Sequence, residues 1–323
     1  MIKITIDNIT AEVPEGTTIL QAARQIGGDI VPPTMCYYSK LKGTGGKCRT
    51  CLVKVVKGSE ADPRPMPKLV ASCSTLAQDG MVVENTLSQE VMDARKAIVE
   101  FLLINHPLDC PVCDQAGECD LQNLSYKHGV EGTRYEEDRR EFDVIDIGDK
   151  IKLHMNRCIL CYRCVYTMNQ LTDNRNHGVL FRGDAAEIGT YIKNTIEQEF
   201  SGNIIDVCPV GALTDRTFRF KSRVWFLKPM DAHRDCPHCA GKVTVWEFGN
   251  QIYRVTGRKN EFGEVDDFIC NECRFEKKDI HDWVIEGPRK ITPRSVISQN
   301  HYRNTKKQSI ILPLDEKTEP QQQ

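Results

Sequence analysis

Fifteen cysteines restrict the folds open to this 323-residue sequence more than any other feature does. They fall along the chain into three groups of four and one group of three, and none is left over. The group of three follows His106, whose imidazole supplies a fourth ligand. Such sets predict metal or iron–sulfur centres rather than ordinary core cysteines. The sets are Cys36, Cys48, Cys51 and Cys73; His106, Cys110, Cys113 and Cys119; Cys158, Cys161, Cys164 and Cys208; and Cys236, Cys239, Cys270 and Cys273.

The length of 323 residues suffices for two or three domains. With 40% hydrophobic residues and a net charge of −2, the composition is that of a soluble globular protein. There is no basic excess, so we expect no nucleic-acid partner. No apolar run approaches the length of a bilayer span. The first residues resemble a strand rather than a secretion signal. We therefore expect a cytoplasmic protein, in which thiols stay reduced and disulfides are rare.

Residues 1–86 predict a [2Fe–2S] domain. Alternating apolar residues predict two short strands, and a helix capped by Thr17 or Thr18 follows. A long loop then carries three cysteines before further strands, which is the order of a ferredoxin-like β-grasp domain. The cysteines have the spacing C-x11-C-x2-C-x21-C, in which the first interval is longer than in the plant-type pattern C-x4-C-x2-C. The glycines of residues 43–46 fit no phosphate loop, and we expect their backbone amides to approach the cluster.

Residues 87–127 predict a helix that leads into the second ligand set. The helix starts at Ser88, and Pro107 disfavours helical geometry at His106. The spacing H-x3-C-x2-C-x5-C suits either zinc or an iron–sulfur cluster. On a cluster, a neutral imidazole in place of a thiolate should raise the reduction potential. The apolar face that we expect to be packed consists of Val91, Ala94, Ile98, Phe101 and Leu102.

Residues 128–222 contain the strongest local pattern, C-x2-C-x2-C, with a distant Cys208-Pro209. Three ligands on a tight loop plus a remote Cys-Pro are typical of [4Fe–4S] ferredoxins. Arg157 and Arg163 are expected to face solvent, although either could offset the negative charge of a cluster. The charged residues between Gly129 and Lys150 are expected to form a solvated connection.

Residues 223–285 predict a small β-rich module with two C-x2-C pairs. Two such pairs suit a zinc ribbon as readily as a cluster, and spacing alone slightly favours zinc. His238 is not expected to be a ligand, because four thiolates suffice. Residues 286–323 are expected to form a polar tail. The expected fold class is therefore α+β: a β-grasp domain, small α/β iron–sulfur domains with long loops around the clusters, and this four-cysteine module.

Four stretches of the sequence resemble the large iron–sulfur subunit of respiratory complex I. They are Pro-x-Met-Cys-Tyr-Tyr around Cys36, Gly-Gly-Lys-Cys-Arg-Thr-Cys around Cys48, the run from His106 to Gln122, and Ile-Asp-Val-Cys-Pro-Val-Gly-Ala-Leu-Thr around Cys208. The resemblance implies a [2Fe–2S] cluster on the first ligand set. It also implies a one-histidine [4Fe–4S] cluster on the second set and a four-cysteine [4Fe–4S] cluster on the third.

Two departures from this family concern the last part of the chain. Long relatives continue into a molybdopterin-enzyme-like domain, of which this sequence has almost none. Relatives with an additional cluster there have C-x2-C-x3-C and a distant cysteine, but Val243 occupies the third position here. Cys273 is a plausible replacement, so the resemblance favours [4Fe–4S] over zinc at the fourth set.

The resemblance implies an electron-transfer subunit of NADH:quinone oxidoreductase. Its expected partners are a flavin- and NADH-binding subunit and the quinone-side iron–sulfur subunits. It would lie in the peripheral arm on the cytoplasmic side and contact the membrane only through the complex. The sequence contains no G-x-G-x-x-G fingerprint, so we expect no nicotinamide or flavin on this chain. The alternatives are an electron-relay subunit of an NAD-linked hydrogenase and a zinc-stapled scaffold.

Overall fold

The computed structural model describes residues 1–129, 132–172, 175–191 and 196–289. Its fold is α+β, as predicted, with small sheets separated by long cysteine-bearing loops. Most of the predicted tail, residues 290–323, lies outside the described residues, and the predicted domain boundaries stay predictions. The α-helices among the described residues are α1 (Ile19–Ile26), α2 (Gln89–Leu103), α3 (Asp120–His128), α4 (Arg163–Leu171) and α5 (Asn203–Val207).

The N-terminal part is a five-stranded sheet with the order β2-β1-β5-β3-β4. Strand β1 pairs antiparallel with β2 and parallel with β5, and helix α1 packs on the apolar face of the sheet. The Thr18 hydroxyl accepts a hydrogen bond from the Gln21 amide and so begins α1. This arrangement is the predicted β-grasp. The strands are β1 (Ile2–Ile6), β2 (Ile9–Val13), β3 (Leu52–Lys57), β4 (Val70–Ala71) and β5 (Met81–Glu84).

Helix α2 begins after Ser88 and buries Val91, both as predicted, but its buried face is rotated relative to the predicted one. Val91, Arg95 and Val99 are its buried residues, whereas Phe101 is 71% exposed. The prediction that Phe101 packs in the core was therefore wrong. Hydrophobic periodicity assigns Arg95 to the surface, so the predicted buried face was rotated away from the observed one.

Arg95 is buried because the first cysteine loop satisfies its guanidinium group. It donates to the carbonyls of Thr50 and Leu52 at 3.1 and 3.2 Å, and to the Asn85 side chain at 2.6 Å. Burial lowers the pKa of Arg95 to about 10. Three acceptors offset much of the cost of desolvating this cation, so α2 is held against the loop of the first ligand set.

The middle of the chain packs two small sheets and helices α3 to α5 around one apolar core. Strand β7 pairs antiparallel with both β6 and β10, and β8 pairs with β9 in a hairpin. Cysteines of the second and third ligand sets belong to this shared core. The strands are β6 (Val144–Asp146), β7 (Ile151–His154), β8 (His177–Leu180), β9 (Glu187–Thr190) and β10 (Leu213–Asp215).

The last part is a four-stranded antiparallel sheet with the order β13-β12-β11-β14. A one-turn π-helix, Glu272–Glu276, packs against β13, and Cys270 and Cys273 are fully buried in the same core. No helix among the described residues is long and apolar enough to cross a membrane. The strands are β11 (Lys228–His233), β12 (Lys242–Phe248), β13 (Gln251–Gly257) and β14 (Val284–Pro288).

Candidate iron–sulfur cluster sites

The first ligand set lies in the loop between α1 and β3 and at the end of β4. Cys36 is the largest cause of the raised pKa of its neighbour Cys48, and Cys73 is the largest cause of the lowered pKa of its neighbour Cys51, so the thiols form two pairs. The two pairs meet where Cys73 also reaches Cys36. A [2Fe–2S] cluster needs two such pairs, because each of its two irons takes two thiolates.

Backbone amides at the end of the glycine loop donate to these cysteine sulfurs. The Gly46 amide lies 3.2 Å from the Cys73 sulfur, and the amides of Lys47 and Cys48 lie 3.3 and 3.4 Å from the Cys36 sulfur. Gly45 has φ +105°, and a Cβ there would lie 3.3 Å from the Cys73 sulfur. A side chain is therefore disfavoured twice, by backbone strain and by crowding.

In the second ligand set, the buried Nδ1 atom of His106 lacks a hydrogen-bond partner among the described residues. Burial and the charge of Arg157 lower the pKa of His106 to about 4, so the imidazole is neutral at pH 7, as a metal ligand must be. Cys113 and Cys119 are buried, whereas Cys110 is exposed. Burial raises the pKa of Cys119 to about 12. A bound metal would favour the thiolate form of this sulfur.

The third ligand set surrounds an apolar cavity lined by Leu153, Ile188 and Val210. The residues between its cysteines form a tight loop in which Leu160 and Tyr162 have positive φ values of 52° and 63°. This conformation aims the three nearby thiols inward, and the Leu160 amide donates to the Cys158 sulfur at 3.3 Å. The cavity is bordered by all four thiols, those of Cys158, Cys161, Cys164 and Cys208.

Arg157 and Arg163 are buried, so the prediction that they face solvent was wrong. Arg157 donates twice to the Asp109 carboxylate, at 2.9 and 2.7 Å, next to the second set. Arg163 lies between the cysteines of the third set. Both positive charges are close enough to cysteines to favour thiolates. The available signal was their position beside and within the cysteine motif, but the general rule that arginines face water outweighed it.

Gly211, within the Cys208 motif, has a role that the cysteine spacing does not indicate. A Cβ at this position would be 2.1 Å from the Cys113 sulfur of the second set. No side chain can be accommodated there while Cys113 keeps its position. The sequence signal was the glycine three residues after Cys208, but sequence alone does not tell which sulfur it faces.

The fourth ligand set brings all its sulfur atoms within 4.8 Å of one another. It is the only set of metal-binding side chains with this compactness among the residues that the structure describes. Burial raises the pKa of Cys236, but hydrogen bonds from the backbone amides of His238 and Cys239 outweigh it, and the pKa is lowered to about 7. The members are Cys236, Cys239, Cys270 and Cys273.

Three regions of the chain match known protein families. Residues 1–87 match a family described as a 2Fe-2S iron-sulfur cluster binding domain. Residues 95–134 match the NADH-ubiquinone oxidoreductase-G iron-sulfur binding region. Residues 148–214 match the ferredoxin-like domain of NADH-quinone oxidoreductase subunit 3. The first three ligand sets thus fall in or beside regions that match iron–sulfur families.

Similar proteins carry closely related names and match most of this chain. A subunit of the NADH-quinone oxidoreductase of Rickettsia felis is 40% identical over 261 residues, which is 81% of this chain and 37% of that protein. The mitochondrial NADH-ubiquinone oxidoreductase 78 kDa subunit of Candida albicans is 41% identical over 276 residues, 85% of this chain and 36% of that protein. This chain belongs to the family of the large iron–sulfur subunit of NADH-quinone oxidoreductase.

The match covers only part of the length of these relatives. The mitochondrial iron-sulfur protein 1 of NADH dehydrogenase from Solanum tuberosum is 38% identical, and the match covers 89% of this chain and 38% of the potato protein.

A chain of the NAD+-reducing [NiFe]-hydrogenase in its H2-reduced state has a similar fold. Its TM-score is 0.60 at 26% identity, with 69% of this chain and 91% of that chain covered.

The imidazole of His106 can be tested as a ligand by exchange for a thiolate. We expect His106→Cys to lower the reduction potential of the bound cluster by on the order of 100 mV, because a thiolate makes the cluster more negative. The measurement is a redox titration followed by electron paramagnetic resonance. The control is His281→Cys, at an exposed histidine outside the four ligand sets. An unchanged potential at full iron content would exclude His106 as a ligand.

Proposed function

We propose that this chain is an electron-transfer subunit of an NADH:quinone oxidoreductase. The chain spans roughly 37% of the length of the Rickettsia relative, so the activity of the whole complex is part of the proposal. Bound iron–sulfur clusters supply reversible one-electron transfer. We assign a [2Fe–2S] cluster to Cys36, Cys48, Cys51 and Cys73, and [4Fe–4S] clusters to His106, Cys110, Cys113 and Cys119 and to Cys158, Cys161, Cys164 and Cys208.

The residues around these ligands suit such clusters. The unpartnered His106 nitrogen, the amides aimed at the Cys36 and Cys73 sulfurs, and the apolar cavity at the third set each match a need of a bound cluster. Hydrogen bonds to sulfur, burial and nearby positive charge are the means by which a protein sets cluster potentials. This chain's own contribution is therefore to hold the ligands, exclude water and adjust the local charge.

One contact most directly supports electron transfer between the second and third ligand sets. The Cys119 sulfur of the second set lies 3.8 Å from the Pro209 carbonyl, and Pro209 directly follows Cys208 of the third set. The Asp120 amide donates to the same carbonyl at 3.1 Å. Only one residue, Pro209, thus lies between Cys208 and the atom that contacts the Cys119 sulfur, so the two sets lie close together. Electron transfer between them needs this proximity.

A second contact links the first set to the third. The Arg163 guanidinium donates to the carbonyl of Tyr37, next to Cys36, at 2.7 Å and to the carbonyl of Val207, next to Cys208, at 3.3 Å. Because one buried cation holds both loops, the first and third sets share a fixed geometry. The three sets therefore form a connected series within the described residues.

The partners that we propose are a flavin-bearing NADH-oxidising subunit on the donor side and quinone-side iron–sulfur subunits on the acceptor side. The chain would lie in the peripheral arm on the cytoplasmic side, and it would reach the membrane only through the complex. The names of the relatives favour such an assembly.

The donor can be identified by anaerobic reduction of the purified native complex. We expect NADH to produce the electron paramagnetic resonance signals of a [2Fe–2S] and of [4Fe–4S] clusters, and added quinone to remove them. The signals should be absent when the flavin is extracted and should return on reconstitution. Clusters that chemical reductants reduce but that NADH leaves oxidised would contradict the proposed donor.

The alternative is an electron-relay subunit of an NAD-linked hydrogenase. The similarity to the hydrogenase chain favours it, since 91% of that chain is covered. The same sample distinguishes the two functions, because a hydrogenase partner would allow H2 to reduce the clusters in the absence of NADH. Reduction by H2, together with co-purification of nickel, would favour the hydrogenase assignment.

A further inference from the structure

The four thiols of the last module converge much more closely than those of the other ligand sets. The Cys236 and Cys270 sulfurs are 3.7 Å apart, those of Cys239 and Cys273 are 3.8 Å apart, and those of Cys273 and Cys236 are 3.6 Å apart. All four lie within 4.8 Å of one another. The sulfurs therefore occupy the corners of a small tetrahedron.

This spacing matches the coordination shell of one metal ion. With a zinc–sulfur bond of about 2.3 Å, tetrahedral geometry places the sulfurs about 3.8 Å apart. In a [4Fe–4S] cluster each thiolate binds a different iron, so the sulfurs must lie farther apart than around one ion. The Cys158 set, in the same structure, does not reach the compactness of the fourth set.

The backbone supports this arrangement from two separate elements. Cys236 and Cys239 lie in the loop between β11 and β12, and the Gly241 amide donates to the Cys239 sulfur at 3.4 Å. Cys270 and Cys273 flank the start of the π-helix, and the Cys273 amide lies 3.5 Å from the Cys270 sulfur. Two such turns, each presenting two sulfurs, form a closed four-thiolate shell, which is typical of structural zinc sites.

The nearby His238 is not a ligand of this site. One ring nitrogen of His238 lies 2.5 Å from a carboxylate oxygen of Glu199, and the other lies 3.7 Å from a carboxylate oxygen of Glu272. Both ring nitrogens thus face carboxylates. The four sulfurs leave no position for a nitrogen ligand, a water molecule or a substrate.

We propose that Cys236, Cys239, Cys270 and Cys273 bind one zinc ion. A site of thiolates alone in tetrahedral geometry selects zinc or iron, and zinc has no redox chemistry. The fourth set therefore lies outside the electron path, and its ion fastens the π-helix to the β11–β12 loop. This assignment differs from the cluster that family resemblance favoured, and it holds whether or not the chain serves NADH oxidation.

The residue after Cys273, Arg274, links the fourth ligand set to the third. Arg274 is fully buried and forms an ion pair with Asp206 at 2.6 Å, and Asp206 lies two residues before Cys208. By fixing Cys270 and Cys273, the zinc ion also fixes the helix that presents this arginine. The zinc module is thus a support for the Cys208 loop.

The test is a count of iron, acid-labile sulfide and zinc in the anaerobically purified full chain. We expect about 10 iron, about 10 sulfide and one zinc per chain. Zinc-edge X-ray absorption should give four sulfur neighbours at about 2.3 Å. About 14 iron without zinc would overturn the proposal in favour of a third [4Fe–4S] cluster. One extra iron without extra sulfide, in place of zinc, would also overturn it.

A pair of variants locates the ion. We expect Cys236→Ala to reduce zinc to near zero while sulfide stays at about 10 per chain. Cys164→Ala, in the third set, is the matched control, which should lose about four iron and four sulfide but keep zinc. Zinc retained at one per chain in Cys236→Ala would place the ion elsewhere and overturn the assignment. The X-ray absorption measurement uses the unaltered chain, so it decides the matter even if a variant fails to fold.

Discussion

Replacing Cys208 with alanine is expected to abolish quinone reduction by NADH while leaving NADH oxidation at the flavin partner intact. The variant should lose about four of about 10 iron atoms. We expect NADH:quinone activity to fall at least about 100-fold, because changing even a residue behind a metal ligand typically costs 10- to 100-fold. Reduction of a small artificial acceptor that reacts at the flavin should stay within twofold of its original rate.

The matched control for this variant is Thr214→Val, six residues farther along the same segment. The Thr214 hydroxyl is buried without a hydrogen-bond partner among the described residues, so removing it should leave the thiols in place. This control should keep full iron content and quinone activity. If Cys208→Ala retained full quinone activity with reduced iron, the third set would not lie on the electron path.

The cysteine spacing allowed the sequence alone to propose the four ligand sets, of which the structure brings the fourth closest together. Metal ligands in short loops have little freedom, so C-x2-C patterns indicate which thiols lie together. Even Cys236 and Cys270, which are 34 residues apart, were placed in one set and lie 3.7 Å apart. Spacing does not report how tightly the sulfurs converge, so it left the choice between zinc and a cluster open.

The buried charges were the part that the sequence could not reveal. Arg95, Arg157, Arg163 and Arg274 are all buried, and each donates to a carbonyl or carboxylate that is distant along the chain. Periodicity places such residues on the surface, because burying an unpaired charge is costly. Only the tertiary structure supplies the acceptors. The exposure of Phe101 follows from the same cause, since burying Arg95 determined which face of α2 was packed.

The ion pair between Arg274 and Asp206 should be the most sensitive support of the third ligand set. Both side chains are almost completely buried, at 2% and 3% exposure, and Asp206 also accepts a hydrogen bond from the Gly257 amide at 2.8 Å. Arg274→Met leaves the carboxylate buried without its cation, which typically costs about 3–5 kcal/mol. We expect the apparent Tm of the purified chain to fall by about 10 °C.

The matched control is the double variant Arg274→Met with Asp206→Asn, which removes both charges and keeps a side-chain oxygen that can accept from the Gly257 amide. Removing both charges avoids the uncompensated charge, so most of the lost stability should return. Loss of cluster absorbance on heating should follow the same order, because Asp206 lies two residues before Cys208. If Arg274→Met and the double variant melted at the same temperature, packing rather than charge pairing would hold the zinc module against the Cys208 loop.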